Sequence, residues 1–421
     1  NWSGGIAAGG TDAIANFATV NIGANTTVTL TGTNPTVGTL LFADTSGSQT
    51  WGINNLGTIN LSVTSGSPLI SNSVTTTLSG ILAGSQGFTK AGSGVLILGG
   101  ANTYSGNTVI SDGTLRVNAS DTLPNASVVV FANNGNNKEL TVYSASDTIG
   151  GLSSSGGAGT IVVQNNRALN SGTLNLNVAT ATSQTYDGII RDAAAGVAVN
   201  NLNIIKSGAG TQVFSGGANV SYSGATTVSN GVLEFSGATV NNNSAIDVGS
   251  GATMRFNNTS SIDRTTVITG GGNVEKSGSG VLTLSASNTY GGSTVMTGGN
   301  LRLGANERIA DTSVMRFTGG SGTDSRFQMM GYSETLGGLD SGSSIGTQVI
   351  EGATTAAATL TLSVGSGAYT YGGFLRDSSS GTHANNLSLV KNGAGTQVLS
   401  GAGNVAYSGT TTINGGTLEF S

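Results

Sequence analysis

One motif returns four times along this chain, and long-range repetition of that kind dictates an architecture of stacked, similar units. The first copy reads Lys90-Ala-Gly-Ser-Gly, then Val95-Leu-Ile-Leu, then Asn102-Thr-Tyr104-Ser-Gly106, then Gly113-Thr-Leu115-Arg-Val117. The second carries Lys206-Ser-Gly-Ala-Gly, Tyr222-Ser-Gly224 and Gly231-Val-Leu233-Glu-Phe235. The third carries Lys276-Ser-Gly-Ser-Gly, Tyr290-Gly-Gly292 and Gly299-Asn-Leu301-Arg-Leu303, and the fourth Lys391-Asn-Gly-Ala-Gly, Tyr407-Ser-Gly409 and Gly416-Thr-Leu418-Glu-Phe420.

The spacings expose a second level of repetition. Lys90 and Lys206 stand far apart, Lys206 and Lys276 much closer, and Lys276 and Lys391 far apart again. Tyr104 and Tyr290 follow their lysines at one interval, while Tyr222 and Tyr407 follow theirs at an interval two positions longer. The residue after the last Leu alternates Arg116, Glu234, Arg302, Glu419. Copies one and three therefore match, as do copies two and four. Tyr186-Asp-Gly-Ile-Ile-Arg191-Asp192 and Tyr371-Gly-Gly-Phe-Leu-Arg376-Asp377 stand in matching places and agree with a tandem unit of about 185 residues. The expected organisation is a segment over 1–85, a first unit over 86–271 (motifs at 86–120 and 201–235) and a truncated second unit over 272–421 (motifs at 272–305 and 386–421).

Short runs such as Thr26–Leu30 and Thr173–Val178 alternate apolar and polar side chains and are cut by Gly or Asn, the period of a strand with one buried face. Leu115 and Val117 point one way and Arg116 the other. Asp112-Gly113, Asn230-Gly231 and Gly298-Gly299 supply positive-φ turn positions. For Thr211-Gln212-Val213-Phe214 the pattern leaves either pair free to face inward. Helix signals are close to absent. The expected fold is all-β: one continuous right-handed parallel β-helix, or β-solenoid, of about 20 residues per coil, each coil burying its inner face against its neighbours. A β-sandwich or propeller is the competing reading, weakened by the lack of aromatic hairpin or blade signatures. The four motif lysines are expected at equivalent turns or strand starts with their ammonium groups in water, since burying an unpaired charge costs several kcal/mol.

Composition excludes other classes. The chain has 421 residues, 69 of them Gly and 3 Pro, with 8% charged against roughly 25% in an ordinary soluble domain. No run approaches the ~18–20 apolar residues of a membrane helix. At 37% hydrophobic and a net charge of −5, the chain can bury a core rather than stay disordered. The acidic balance, with 15 Lys and Arg scattered singly, argues against nucleic acid. The absence of Cys removes disulfide and zinc-thiolate frameworks and suits a chain that crosses a periplasm unfolded. With no initiating Met and no signal segment, it reads as an internal piece of a longer secreted polypeptide.

The Lys-x-Gly-x-Gly, Asn-Thr-Tyr-Ser-Gly and Gly-Thr-Leu-Arg core resembles the passenger-associated transport repeat of bacterial autotransporters and related giant surface proteins. The opening Asn1-Trp2-Ser3-Gly4-Gly5 is similar to the segment that starts such passengers. The resemblance implies a β-helical passenger exported through an outer-membrane barrel and displayed at the cell surface, anchored or released. The family motif holds no catalytic residue to carry over.

Four features of the sequence are candidates for a site. Gly319-Gly320-Ser-Gly322-Thr-Asp324 fits the start of a calcium-binding nonapeptide. It occurs once, has Arg326 at an apolar position, and aligns Lys138 with Asp324, so it reads as a glycine turn, and chelators are expected to leave stability unchanged. Arg191-Asp192 and Arg376-Asp377 recur, but adjacent strand residues face opposite ways, and they read as surface or turn ion pairs rather than as lyase machinery. His383, the only histidine, has Ala198 as its counterpart and reads as a solvated loop residue. The four Lys–Tyr pairs read as stacking and rim positions, with tyrosines closing a corner. No catalytic, metal or cofactor site is assigned, and no cofactor is expected.

The expected function is a structural fibre or stalk contributing to adhesion, aggregation or cell-surface architecture. Its expected partners are surface or matrix polysaccharides or proteins, sister chains, and a continuing polypeptide or head-to-tail neighbour at its ends. A self-assembling filament subunit and a carbohydrate-active β-helix enzyme are the alternatives.

Overall fold

The computed structural model describes residues 9–30, 34–45, 47–55, 57–154, 159–167, 170–194, 201–215, 220–237, 244–319, 324–341, 347–378, 387–400 and 405–421. Among these every regular element is a β-strand, and the chain is a parallel β-solenoid of about 16 turns. Contacts divide it into two compact units, Asn1–Ala225 and Thr226–Ser421.

Strand register sets the length of a coil. Lys90 pairs with Ile110 one coil later and Ile110 with Phe131 in the next, coils of 20 and 21 residues, whereas Gly113 pairs with Lys138 and Gly172 with Leu202, coils of 25 and 30, so many coils are longer than the 20 residues expected from the sequence. Because each strand meets only the strands one coil before and after it, the pairing is parallel and like residues stack on like. In the first unit this builds an inward column of Leu96, Leu115, Leu140, Val163, Ile190 and Val220. In the second unit the matching column is Leu282, Leu301, Phe327, Ile350, Leu375 and Val405. Burying each such side chain is worth about 1.5–3 kcal/mol, and these columns are the core. Aromatic contacts thicken it: Phe17 stacks on Phe42 at 5.1 Å, and Tyr186 packs 5.3 Å from Phe131.

Among the described residues the first unit holds a seven-stranded sheet from Ile14–Asn16 to Gly151–Ser154 and a nine-stranded sheet from Thr26–Leu30 to Val220–Ser221. The second unit holds a seven-stranded sheet from Ile262–Arg264 to Val405–Ala406 and a four-stranded sheet from Glu334–Leu336 to Thr411–Ile413. Alternation decides the faces: Val95–Leu98 and Val281–Leu284 each bury every second residue. The ambiguous Thr211–Phe214 strand turns Gln212 and Phe214 inward, both fully buried.

Candidate functional site

The four motif lysines occupy equivalent positions, but neither at turns or strand starts nor in water. They sit near the ends of Phe88–Ala91, Leu202–Ser207, Asn273–Ser277 and Leu387–Asn392, with at most 1% of their surface exposed. This corrects the expectation of solvated ammonium groups, and the reason is a cage of backbone carbonyls. Lys90 Nζ donates to the carbonyls of Ala91 at 3.1 Å, Gly92 at 2.5 Å and Asp112 at 2.9 Å. Lys391 Nζ repeats this with Asn392 at 2.6 Å, Gly393 at 3.0 Å and Gly415 at 3.2 Å. Lys276 uses Ser277, Gly278 and Gly298, and Lys206 reaches Ser207 and Gly208. An ammonium has three donors and no acceptor, so three converging carbonyls satisfy it fully. Burial lowers Lys90, Lys206 and Lys276 to about 8, so each still carries its charge at neutral pH.

The motif's glycines follow from this cage. Folding the carbonyls of the two residues after Lys inward needs a left-handed residue two places on, and Gly92 has φ of 76°. A Cβ there would lie 2.4 Å from the carbonyl oxygen of Asn72 one coil below. The third carbonyl comes from the coil above, where Gly299 has φ of 68° and a Cβ would meet Lys276 Nζ at 2.8 Å. Lys90, Lys276 and Lys391 thus each tie their own turn to the next one.

The Asn-Thr-Tyr block is equally inward. Asn102 accepts from Leu82 N at 2.7 Å and donates to Thr122 O at 2.8 Å, bridging the coils on either side. Asn288 does the same between Ile268 and Arg308. Tyr104 is buried rather than on a rim, its hydroxyl 2.6 Å from Thr108 Oγ1, which lies 2.9 Å from Ser127 Oγ. Tyr290, Thr294 and Ser313 form the same chain at 2.7 and 2.9 Å. Burial pushes both phenols well above their ordinary range.

Two glutamines do what no motif residue does. The Gln212 carboxamide accepts from Leu152 N and donates to Leu152 O, each at 3.0 Å. Leu152 lies in Gly151–Ser154, the last strand of its sheet, so this side chain supplies one peptide group's worth of a missing neighbour. Gln397 treats Leu339 identically, at 2.9 Å both ways. Sequence reasoning missed this role, although the signal was there: six places after the motif lysines stand Leu96, Gln212, Leu282 and Gln397.

The recurring Arg-Asp pairs are not ion pairs. Arg191 Nε donates to Gln164 Oε1 at 2.8 Å, while Asp192 accepts from Leu202 N at 2.8 Å and Ser223 Oγ at 2.8 Å. Arg376 bonds Glu351 at 3.3 Å, and Asp377 takes Leu387 N at 2.9 Å and Ser408 N at 3.0 Å. Both aspartates tie loop backbone together. In the preceding Tyr-x-Gly, Tyr186 and Tyr371 donate to Ile189 O and Phe374 O at 3.0 Å, each hydroxyl lying where a Cβ on Gly188 or Gly373 would stand.

Asp324 lies 3.8 Å from Arg326, and its backbone carbonyl accepts from Gly299 N. Strand register places Lys138 opposite Gly113 and Ser325 opposite Gly299, one residue off the alignment of Lys138 with Asp324. Gly320–Thr323 and His383 lie outside the described residues. Two further carboxylates are buried with no ion pair among the described residues: Asp147 accepts from Thr122 N at 2.9 Å and Leu123 N at 3.2 Å, and Glu334 from Arg308 N at 2.8 Å and Ile309 N at 3.1 Å. Burial raises them to about 7 and about 8.

The recurring polar residues thus close the solenoid's own turns, and the comparisons name the repeat to which they belong. The passenger-associated transport repeat model matches residues 88–117, 204–235, 274–303 and 389–420, so the chain carries the repeats of autotransporter passengers. It is 30% identical over 376 residues to the adhesin BmaC autotransporter of Brucella suis biovar 1, an alignment covering 85% of this chain and 10% of the adhesin. The chain thus spans about a tenth of that relative's length. No solved structure matches it.

Proposed function

We propose that the chain is a stretch of an autotransporter passenger that works outside the cell as an adhesive, structural surface and catalyses no reaction. The observation that carries this is the similarity to an adhesin autotransporter over 85% of the chain. The geometry supports it, because the recurrent Lys, Asn, Tyr and Asp side chains are spent on backbone groups of their own coils rather than on a shared cleft. A carbohydrate-active enzyme would need free carboxylates at controlled separation, and Asp192 and Asp377 are each held by backbone N–H groups. The proposal extends to a right-handed coil, the hand of nearly all parallel crossovers, and to two tandem units of about 185 residues within a passenger anchored to or released from the outer membrane.

The test compares cells displaying the full-length protein with cells whose copy lacks residues 1–421. Attachment to surfaces and to neighbouring cells should fall while display of the remaining protein is unchanged. Equal attachment, or polysaccharide turnover that disappears with Asp192→Asn or Asp377→Asn, would overturn the reading.

A further inference from the structure

Asn-Gly pairs stand at Asn134, Asn230, Asn392 and Asn414, and each joins a side-chain amide to the least hindered backbone nitrogen that a chain can offer. The chemistry open to such a pair is intramolecular. The glycine nitrogen can attack the carboxamide carbon of the asparagine before it, and whether it does depends on how the fold holds the two groups.

At three of the pairs the fold ties the carboxamide to other residues. Asn134 Nδ2 donates to Ser111 O at 2.9 Å and to Ser111 Oγ at 2.8 Å, and its Oδ1 accepts from Asn136 N at 3.2 Å. Asn414 Nδ2 donates to Asn392 Oδ1 at 2.9 Å, so these two carboxamides hold each other. Asn230 differs. Its Oδ1 accepts from the N–H of Gly231 itself at 2.7 Å, and a carbonyl bond of about 1.23 Å keeps the carboxamide carbon within about 3.9 Å of that nitrogen. A turn of the carboxamide about its Cβ–Cγ bond brings the carbon to face the nitrogen. Gly231 has φ of 65° and directly precedes the strand Val232–Gly237, and Asn230 is exposed, so water reaches the pair.

The first motif copy holds the acid at this place. Asp112 precedes Gly113, whose φ is 66°, and Asp112 Oδ1 accepts from Gly113 N at 2.9 Å. The two positions are equivalent in the repeat, three residues before Leu115 and three before Leu233. A carboxylate therefore fits this turn in the same hydrogen bond that the carboxamide of Asn230 makes.

We propose that Asn230 is a site of spontaneous deamidation, which turns the Asn-Gly turn of the second copy into the Asp-Gly turn that the first copy encodes. The Gly231 nitrogen loses its proton and bonds to Cγ of Asn230, and the carboxamide nitrogen leaves as ammonia, closing a succinimide ring. Water then opens the ring at Cγ to give aspartate, or at the main-chain carbonyl to give isoaspartate. The net reaction takes up water and releases ammonia, with no oxidation or reduction. The product is ionised at neutral pH, so an exposed turn gains a negative charge that the sequence does not encode. The reaction needs only water and goes forward whatever surface the chain contacts.

The experiment incubates the purified chain in mildly alkaline buffer, folded in one arm and unfolded in urea in the other. Mass spectrometry follows the amide-to-acid change in each Asn-Gly peptide. Urea supplies the rate that the local sequence sets alone. Divided by that rate, deamidation of folded Asn230 should exceed that of Asn134, Asn392 and Asn414 by about tenfold or more, the advantage of ordered reactants. Asn230→Asp should fold with an unchanged melting temperature, because Asp112 already fills the equivalent place. A ratio at Asn230 no higher than at the other three, or a folded Asn230 that keeps its amide while the urea arm loses it, would overturn the site. A destabilised Asn230→Asp would overturn the equivalence of the two turns.

Discussion

A lysine in the interior of a low-charge protein is an expensive residue, and four at the same repeat position need a common cause. Desolvating an ammonium costs several kcal/mol in a protein, and carbonyl dipoles offset this only when they are already converged upon it. The Lys-x-Gly turn supplies that convergence, because the lysine's own next two carbonyls fold back over it and the coil above contributes the third. Replacing Lys276 by Met keeps the apolar stem and removes the donors, leaving the carbonyls of Ser277, Gly278 and Gly298 unsatisfied. The expected cost is about 1–3 kcal/mol, read as faster amide exchange at this turn and its neighbour, since a solenoid opens coil by coil. Lys276→Arg should not restore protection, because a planar guanidinium cannot direct three donors into one compact cage. Unchanged exchange in the Met variant would mean that the cage stabilises nothing.

At the scale of the strand, the two glutamines mark where one sheet ends. Gly151–Ser154 and Gly338–Asp340 each complete the hydrogen bonding of one residue with a side chain 58 or 60 positions away. Gln212→Leu restores the residue found six places after Lys90 and is a favourable change by hydrophobicity alone. It should nevertheless destabilise the first unit by about 1–3 kcal/mol, because Leu152 N–H and C=O would lose their partners in a dry interior. Gln397→Leu should do the same in the second unit, and a more stable variant in a urea titration would refute the strand-substitute role. Much of the strand architecture was legible in the sequence. Alternation gave the inward Leu and Val residues, and Asp112-Gly113 and Asn230-Gly231 do carry the positive φ. What escaped was the inward facing of the lysines and tyrosines, while that of Gln212 stayed open. A pattern reading sends Lys, Gln and Asn outward, and only the coil above or below can reverse that choice. The alternation of Leu96, Gln212, Leu282 and Gln397, and of Gln164 with Glu351, held the information, yet its meaning depends on which strand lies next door.

At the scale of the whole chain, the buried carboxylates Asp147 in the first unit and Glu334 in the second give stability a definite pH dependence. In the unfolded chain both titrate near 4, whereas burial raises them to about 7 and about 8 in the fold. Between those values the folded chain holds protons that the unfolded chain has released, so raising the pH favours unfolding. The protonated carboxyls therefore contribute fully below about pH 4, and their contribution is lost as the pH rises through 7 and 8. The caged lysines oppose this only at higher pH. Lys90, Lys206 and Lys276 are lowered to about 8 against an unfolded value near 10.5, so they add stability as the pH rises above 8 and no slope in the range below. Melting temperature should accordingly fall from pH 5 to pH 8, against the habit of salt-bridged proteins, which gain stability as carboxylates ionise. Asp147→Asn combined with Glu334→Gln should flatten this slope while retaining an acceptor for the N–H groups of Thr122 and Arg308. A melting temperature that rises from pH 5 to pH 8, or a slope that survives the double substitution, would show that these carboxyls are ionised in the fold and that the slope has another source.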